Sequence, residues 1–201
     1  MGWHNRHSKR VSGEAETGGS RQPFFQQIST FVAQAIADLD GETLAALPAL
    51  PATKAALFDS IQSYFERNGW QCQRLTGKTA LRFTYQGQHG KWVCFVSTRE
   101  QARQVIIYSI YPQNVPETQR LVIAEFFTRA NYHLTLGSFE MDFESGQVRL
   151  RASLAIASEA IDAASFQQLL LHNLQTADRH LPGFLAVLSG KKRPREAIAE
   201  I

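Results

Sequence analysis

The chain has 201 residues, 44% of them apolar and 19% charged, a composition that excludes a disordered chain and calls for a packed core. Its net charge of +3 is mildly basic, which suits acidic partners without selecting one. The longest apolar runs fall far short of the ~20 residues of a membrane span, and residues 1–22 lack the apolar centre of a secretory signal, so a cytoplasmic protein is expected.

Residues 1–22 are rich in Gly, Ser and charge and read as a disordered polar tail. His4 and His7 stand there without a third ligand, so no metal is expected. Phe24, Phe25, Ile28, Phe31, Val32, Ala35, Ile36 and Leu39 then form one helical stripe, and the opposite face is neutral and polar. A membrane-surface helix would carry Lys or Arg on that face; this one reads as packing on protein. A Pro-containing connector completes an N-terminal segment, residues 23–51.

From residue 52 the pattern is that of a mixed domain running to residue 201. Thr53 can cap a helix reaching about Asn68, with Leu57, Phe58, Ile61, Tyr64 and Phe65 inward and Gly69 as its stop. Strands follow near 71–75, 79–86, 91–98 and 104–111, separated by turn signals at Thr76-Gly77 and at 87–90. A helix over about 117–132 has Leu121, Val122, Phe126 and Ala130 among its inward candidates. A long helix starts near Asp162 and is expected to kink or break at Pro182, which lacks a backbone donor. A basic "KKRPR" and a short helical "EAIAEI" end the chain.

The segment "FEMDFESGQVRLR" between those last two helices reads as a hairpin. With Ser145-Gly146 as a two-residue turn, Asp142 faces Arg149, Glu140 faces Arg151, and Met141 faces Leu150. Each acid then has a cation opposite it, so the charges set register rather than perform acid–base chemistry.

The element order, with "NYHLTLGSFEMDFESGQVRLRASL" at its centre, resembles the YbjN family. Asn131, the run Gly137-Ser138-Phe139-Glu140, Gly146 and the run Val148-Arg149-Leu150-Arg151 carry the resemblance, with "YPQNVPETQRLVIAEFFTRAN" before them and "HLPGFLAVLSGKKRPREAI" after. The resemblance covers about residues 53–201. It implies a bacterial protein described as a sensory-transduction regulator, with an α+β fold like that of the type III secretion chaperones: helix, antiparallel strands, helix, two strands, helix. Here an N-terminal helix is added. It also implies dimerisation and protein binding, and the family has no catalytic residues to carry over.

No nucleophile elbow, phosphate loop or cysteine pair points to an enzyme, and no cofactor is expected. Cys72 and Cys94 lack CxxC spacing and read as reduced thiols in strands. The informative feature is the sheet. Trp92, Cys94 and Val96 alternate with Val93 and Phe95, and Val105 and Ile107 alternate with Ile106, Tyr108 and Ile110, so both faces are apolar and both need cover. The expected function is a noncatalytic chaperone-like or adaptor protein, a homodimer, that binds a partner polypeptide. The candidate contact residues are Trp92, Phe95, Tyr108, Ile110, Phe25 and Phe31. The alternative is a regulator binding nucleic acid or another polyanion through Arg6, Lys9 and Arg10 at one end and Lys191, Lys192, Arg193 and Arg195 at the other.

Overall fold

The computed structural model of the protein describes residues 57–157 and 161–201. The tail, the 24–39 helix, its connector and the Thr53 cap lie outside the described residues. In chain order the elements are α1 (Leu57–Arg67), β1 (Cys72–Arg74), β2 (Ala80–Gln86), β3 (Lys91–Arg99), β4 (Gln104–Ile110), a 3₁₀ turn (Glu117–Gln119), α2 (Arg120–His133), β5 (Ser138–Met141), β6 (Val148–Ala155), α3 (Ala163–Leu188) and α4 (Pro194–Ile198). The six strands form one antiparallel sheet in the order β1-β2-β3-β4-β6-β5. The α+β architecture expected from the element order is the one observed.

Period-two alternation sorts the strands into two faces. On the first, Leu81, Phe83, Trp92, Cys94, Val96, Ile107 and Leu150 join the helices in one core. Leu57, Phe58, Ile61 and Phe65 enter it from α1, Leu170, Leu174, Ala177 and Phe184 from α3. Each such side chain contributes about 1.5–3 kcal/mol by leaving water, so this face is what holds the described fold together.

Polar groups set how the helices sit on it. Glu100, in the turn after β3, accepts hydrogen bonds from the backbone N–H groups of Leu57 and Phe58, each at 2.8 Å. A carboxylate there satisfies donors that the first helical turn leaves unpaired. The fully buried Asn173 of α3 accepts from Ser109 Oγ at 2.7 Å and donates to the Leu150 carbonyl at 3.3 Å. Asp178, one turn further on, accepts from the backbone N–H groups of Gln88 and His89 in the β2–β3 turn. Asp162 caps the start of α3, accepting from the N–H groups of Ala164 and Ser165.

Three expectations need correction. The helix α3 runs unbroken through Pro182, so the expected interruption does not occur; Gly183 beside it packs against Phe126 and Ile201, holding that segment between α2 and the chain's last residues. Leu121 is 80% exposed, because the inward stripe of α2 is Ile123, Phe126, Phe127 and Ala130. The β5–β6 hairpin is displaced by two residues: Met141 pairs with Val148 and Glu140 with Arg149. Asp142 serves the loop instead of Arg149, accepting from Ser145 Oγ at 2.5 Å and from the Glu144 N–H at 3.0 Å. Gly146 closes that loop at φ +71°, with its carbonyl accepting from the Val115 N–H at 2.7 Å. A shift of two keeps every side chain on its expected face.

Candidate functional site

The second face of the sheet carries Val93, Phe95, Ile106, Tyr108 and Ile110 in a band across β3 and β4, set by the pairs Phe95–Tyr108 and Val93–Ile110. Arg82 on β2 and Arg149 and Arg151 on β6 frame it, facing Phe95, Ile110 and Tyr108 respectively. Phe95, Tyr108 and Ile110 are each 3% exposed. The core that the described helices build takes its sheet residues from the other face only. This band is therefore withdrawn from water without any of those helices lying against it.

The polar rim is ordered. Glu140 bridges both arginines, at 2.7 Å to Arg149 Nε and 2.6 Å to Arg151 Nε. The Arg149 guanidinium lies 4.9 Å from the centre of the Tyr108 ring, a cation–π contact. Burial raises the Tyr108 phenol above its ordinary value, against a smaller opposing pull from Arg149 and Arg151. At one end of the band Ser97 Oγ and Arg99 Nε are buried without a hydrogen-bond partner among the described residues.

The structure divides the candidate contact residues. Phe95, Tyr108 and Ile110 share the second face, whereas Trp92 points into the helix-covered core beside Tyr85. Phe25 and Phe31 lie outside the described residues. Sequence reasoning missed the arginine frame, although the alternation Val148-Arg149-Leu150-Arg151 was enough to put both arginines opposite the core face. It also missed a second exposed apolar feature, Leu121 and Tyr132 on α2, exposed by 80% and 85%.

Little here is arranged for bond chemistry. Burial pushes the Cys94 thiol up to about 12, and burial together with Glu66 raises Cys72, so neither is an activated thiolate. Among the described residues no group of three or more His, Cys, Asp or Glu is placed to hold a metal, and no helix is long and apolar enough to cross a membrane. The basic cluster near the chain's end is partly neutralised. Lys192 pairs with Glu200, and Arg193 pairs with Glu196 within the capping box of α4. Two of its four cations thus already face acids, which weakens it as a phosphate site; Arg6, Lys9 and Arg10 lie outside the described residues.

Three solved structures resemble the chain. YbjN from E. coli matches with 9% identity and a TM-score of 0.48, over 67% of this chain and 90% of that one. The HopA1-SchA chaperone-effector complex has a chain with 11% identity and a TM-score of 0.43, over 62% and 94% respectively. The ExsC-ExsE complex has one with 13% identity and a TM-score of 0.42, over 63% and 92%. No curated protein sequence matches. Residues 58–186, from the second residue of α1 almost to the end of α3, match the model of the family described as "Putative bacterial sensory transduction regulator", and the chain belongs to that family, YbjN.

Proposed function

We propose that the protein is a noncatalytic adaptor or chaperone-like binder that receives a partner polypeptide on the second face of its sheet. The observation that supports this is the band of Phe95, Ile106, Tyr108 and Ile110, apolar and withdrawn from water yet packed by none of the described helices. Apolar side chains of a bound segment would replace what now keeps the band from water, and its polar groups would meet the rim at Arg82, Arg151 and Ser97. Recognition of this kind needs a preformed surface and no reacting group.

A photoreactive phenylalanine analogue in place of Phe95, and separately of Thr84 on the same face, tests it in living cells, with Asp59 on the exposed side of α1 as control. The expected result is one partner polypeptide, identified by mass spectrometry, joined at both sheet positions and absent from the control. Products joining only segments of the same chain at both positions would refute the proposal.

A further inference from the structure

We propose that the segment received on the second face of the sheet is acidic as well as apolar, selected by a frame of cations around the Phe95–Tyr108 band; this rests on the sheet-face reading and names the chemistry of its partner. Side-chain parity puts nearly all of the strands' charge on that face. Within the strands, Arg82, Lys91, Arg99, Arg149 and Arg151 stand there against the single carboxylate of Glu140, whereas the helix-covered face has only Arg74, at its edge over Phe58. The cations enclose the band. Across the strands one row reads Arg82, Phe95, Tyr108, Arg151, so the two arginines flank the rings three strand spacings apart, about 14 Å. Along β3, Lys91 and Arg99 close the two ends, about 27 Å apart.

Glu140 lies outside this frame, on β5, where its one carboxylate is shared by Arg149 and Arg151. Neither Arg82 nor Lys91 forms an ion pair with a described residue. At the Arg99 end, Ser97 is 4% exposed, and its Oγ and Arg99 Nε are buried without a partner among the described residues. Buried donors cost free energy until an acceptor reaches them, and a carboxylate is a strong acceptor for both a hydroxyl and a guanidinium. Apolar side chains for the band and carboxylates for its frame together describe an amphipathic acidic polypeptide. A single-stranded nucleic acid would also bring negative charge, but its bases need open ring faces to stack on. The Arg149 guanidinium already lies over the Tyr108 ring, and Val93, Ile106 and Ile110 offer no ring.

The test is fluorescence anisotropy on the full chain with three labelled synthetic peptides of about ten residues, a length that spans Lys91 to Arg99 when extended. They share apolar residues at alternate positions and carry Glu, Gln or Lys at the others. The Glu peptide is expected to bind about 100-fold more tightly than the Lys peptide, with the Gln peptide between them, and to weaken as salt rises. Arg82→Glu and Lys91→Glu each weaken the Glu peptide about tenfold and strengthen the Lys peptide by as much, and the double variant removes or reverses the preference. A loss for one peptide with a gain for another is a result that unfolding does not give. A photoreactive phenylalanine analogue in place of Thr84, on the same face as Arg82, is expected to join the Glu peptide. Equal binding of the three peptides, with that cross-link formed, would overturn the charge selection and leave the sheet-face reading standing. Binding without the cross-link would overturn both. So would no binding of any peptide, or a single-stranded oligonucleotide that binds more tightly than the Glu peptide and is lost with Arg82→Glu.

Discussion

Asn173 offers the sharpest test of how α3 is held on the sheet. Replacing it by Ala removes a 2.7 Å bond with Ser109 Oγ and a 3.3 Å bond to the Leu150 carbonyl, both in a fully buried place. Each is worth about 1 kcal/mol net, and Ser109 would keep only a 3.5 Å contact with the Cys94 sulfur. The vacated carboxamide volume adds about 1 kcal/mol. The total is about 3 kcal/mol, or a fall in Tm of about 6–12 °C for a domain of this size. Equilibrium urea unfolding measures it, with an unchanged m-value as the sign that the two end states are the same. The logic also predicts a rescue. Asn173→Leu combined with Ser109→Ala replaces both partners by apolar groups of similar size, and the double variant should be more stable than Asn173→Ala. A loss below about 1 kcal/mol, or a double variant no better than Asn173→Ala, would refute the claim that this network registers the helix.

Three further outcomes follow from individual contacts. Glu100→Ala should cost about 1–2 kcal/mol in urea unfolding, because the Leu57 and Phe58 N–H groups lose their acceptor at the start of α1. Gly146→Ala should cost about 2–3 kcal/mol, since φ is +71° and the new Cβ would lie 2.0 Å from the Val115 carbonyl oxygen; local hydrogen exchange in the β5–β6 loop should rise with it. His180 is buried against Phe139, and burial holds its pKa below the ordinary value of 6.5 despite the bond to the Thr176 carbonyl. The unfolded chain therefore takes up this proton first. His180's contribution is complete above about pH 6.5 and shrinks as pH falls from there toward the lower folded value. Stability measured from pH 8 to 5 should show that slope, and His180→Leu should flatten it.

Much of the fold can be read from the residues because periods of two and four are strong signals. Strand positions, the alternation of Val93 and Phe95 against Trp92 and Cys94 within β3, and the core stripe of α1 all follow from alternation and spacing, whereas the pairing of Phe95 with Tyr108 needed the register. Failures came where a side chain had a choice between local and distant partners. Asp142 had Arg149 within reach by simple pairing but bonds its own loop, so the hairpin shifts by two. The acceptor for α1 comes from Glu100, 43 residues away, which no local pattern announces. Leu121 was misplaced because α2 is apolar on two sides, and periodicity alone cannot say which side turns inward. For the candidate site, alternation showed that two sheet faces need cover. It carried no information on which face the helices take, since that depends on where the chain crosses over.

The carboxamide of Asn131 binds both backbone groups of Phe139 in β5: Oδ1 accepts from its N–H at 2.7 Å and Nδ2 donates to its carbonyl at 3.0 Å. β5 is the last strand on its side of the sheet. A free strand there would be a template on which any extended polypeptide could add itself and lengthen the sheet. One side chain at the end of α2 imitates that added strand at Phe139 and fills the two backbone positions it would use there. At Phe139, then, β5 is kept from recruiting other extended polypeptides end over end into aggregates. Asn131→Ala would reopen that margin.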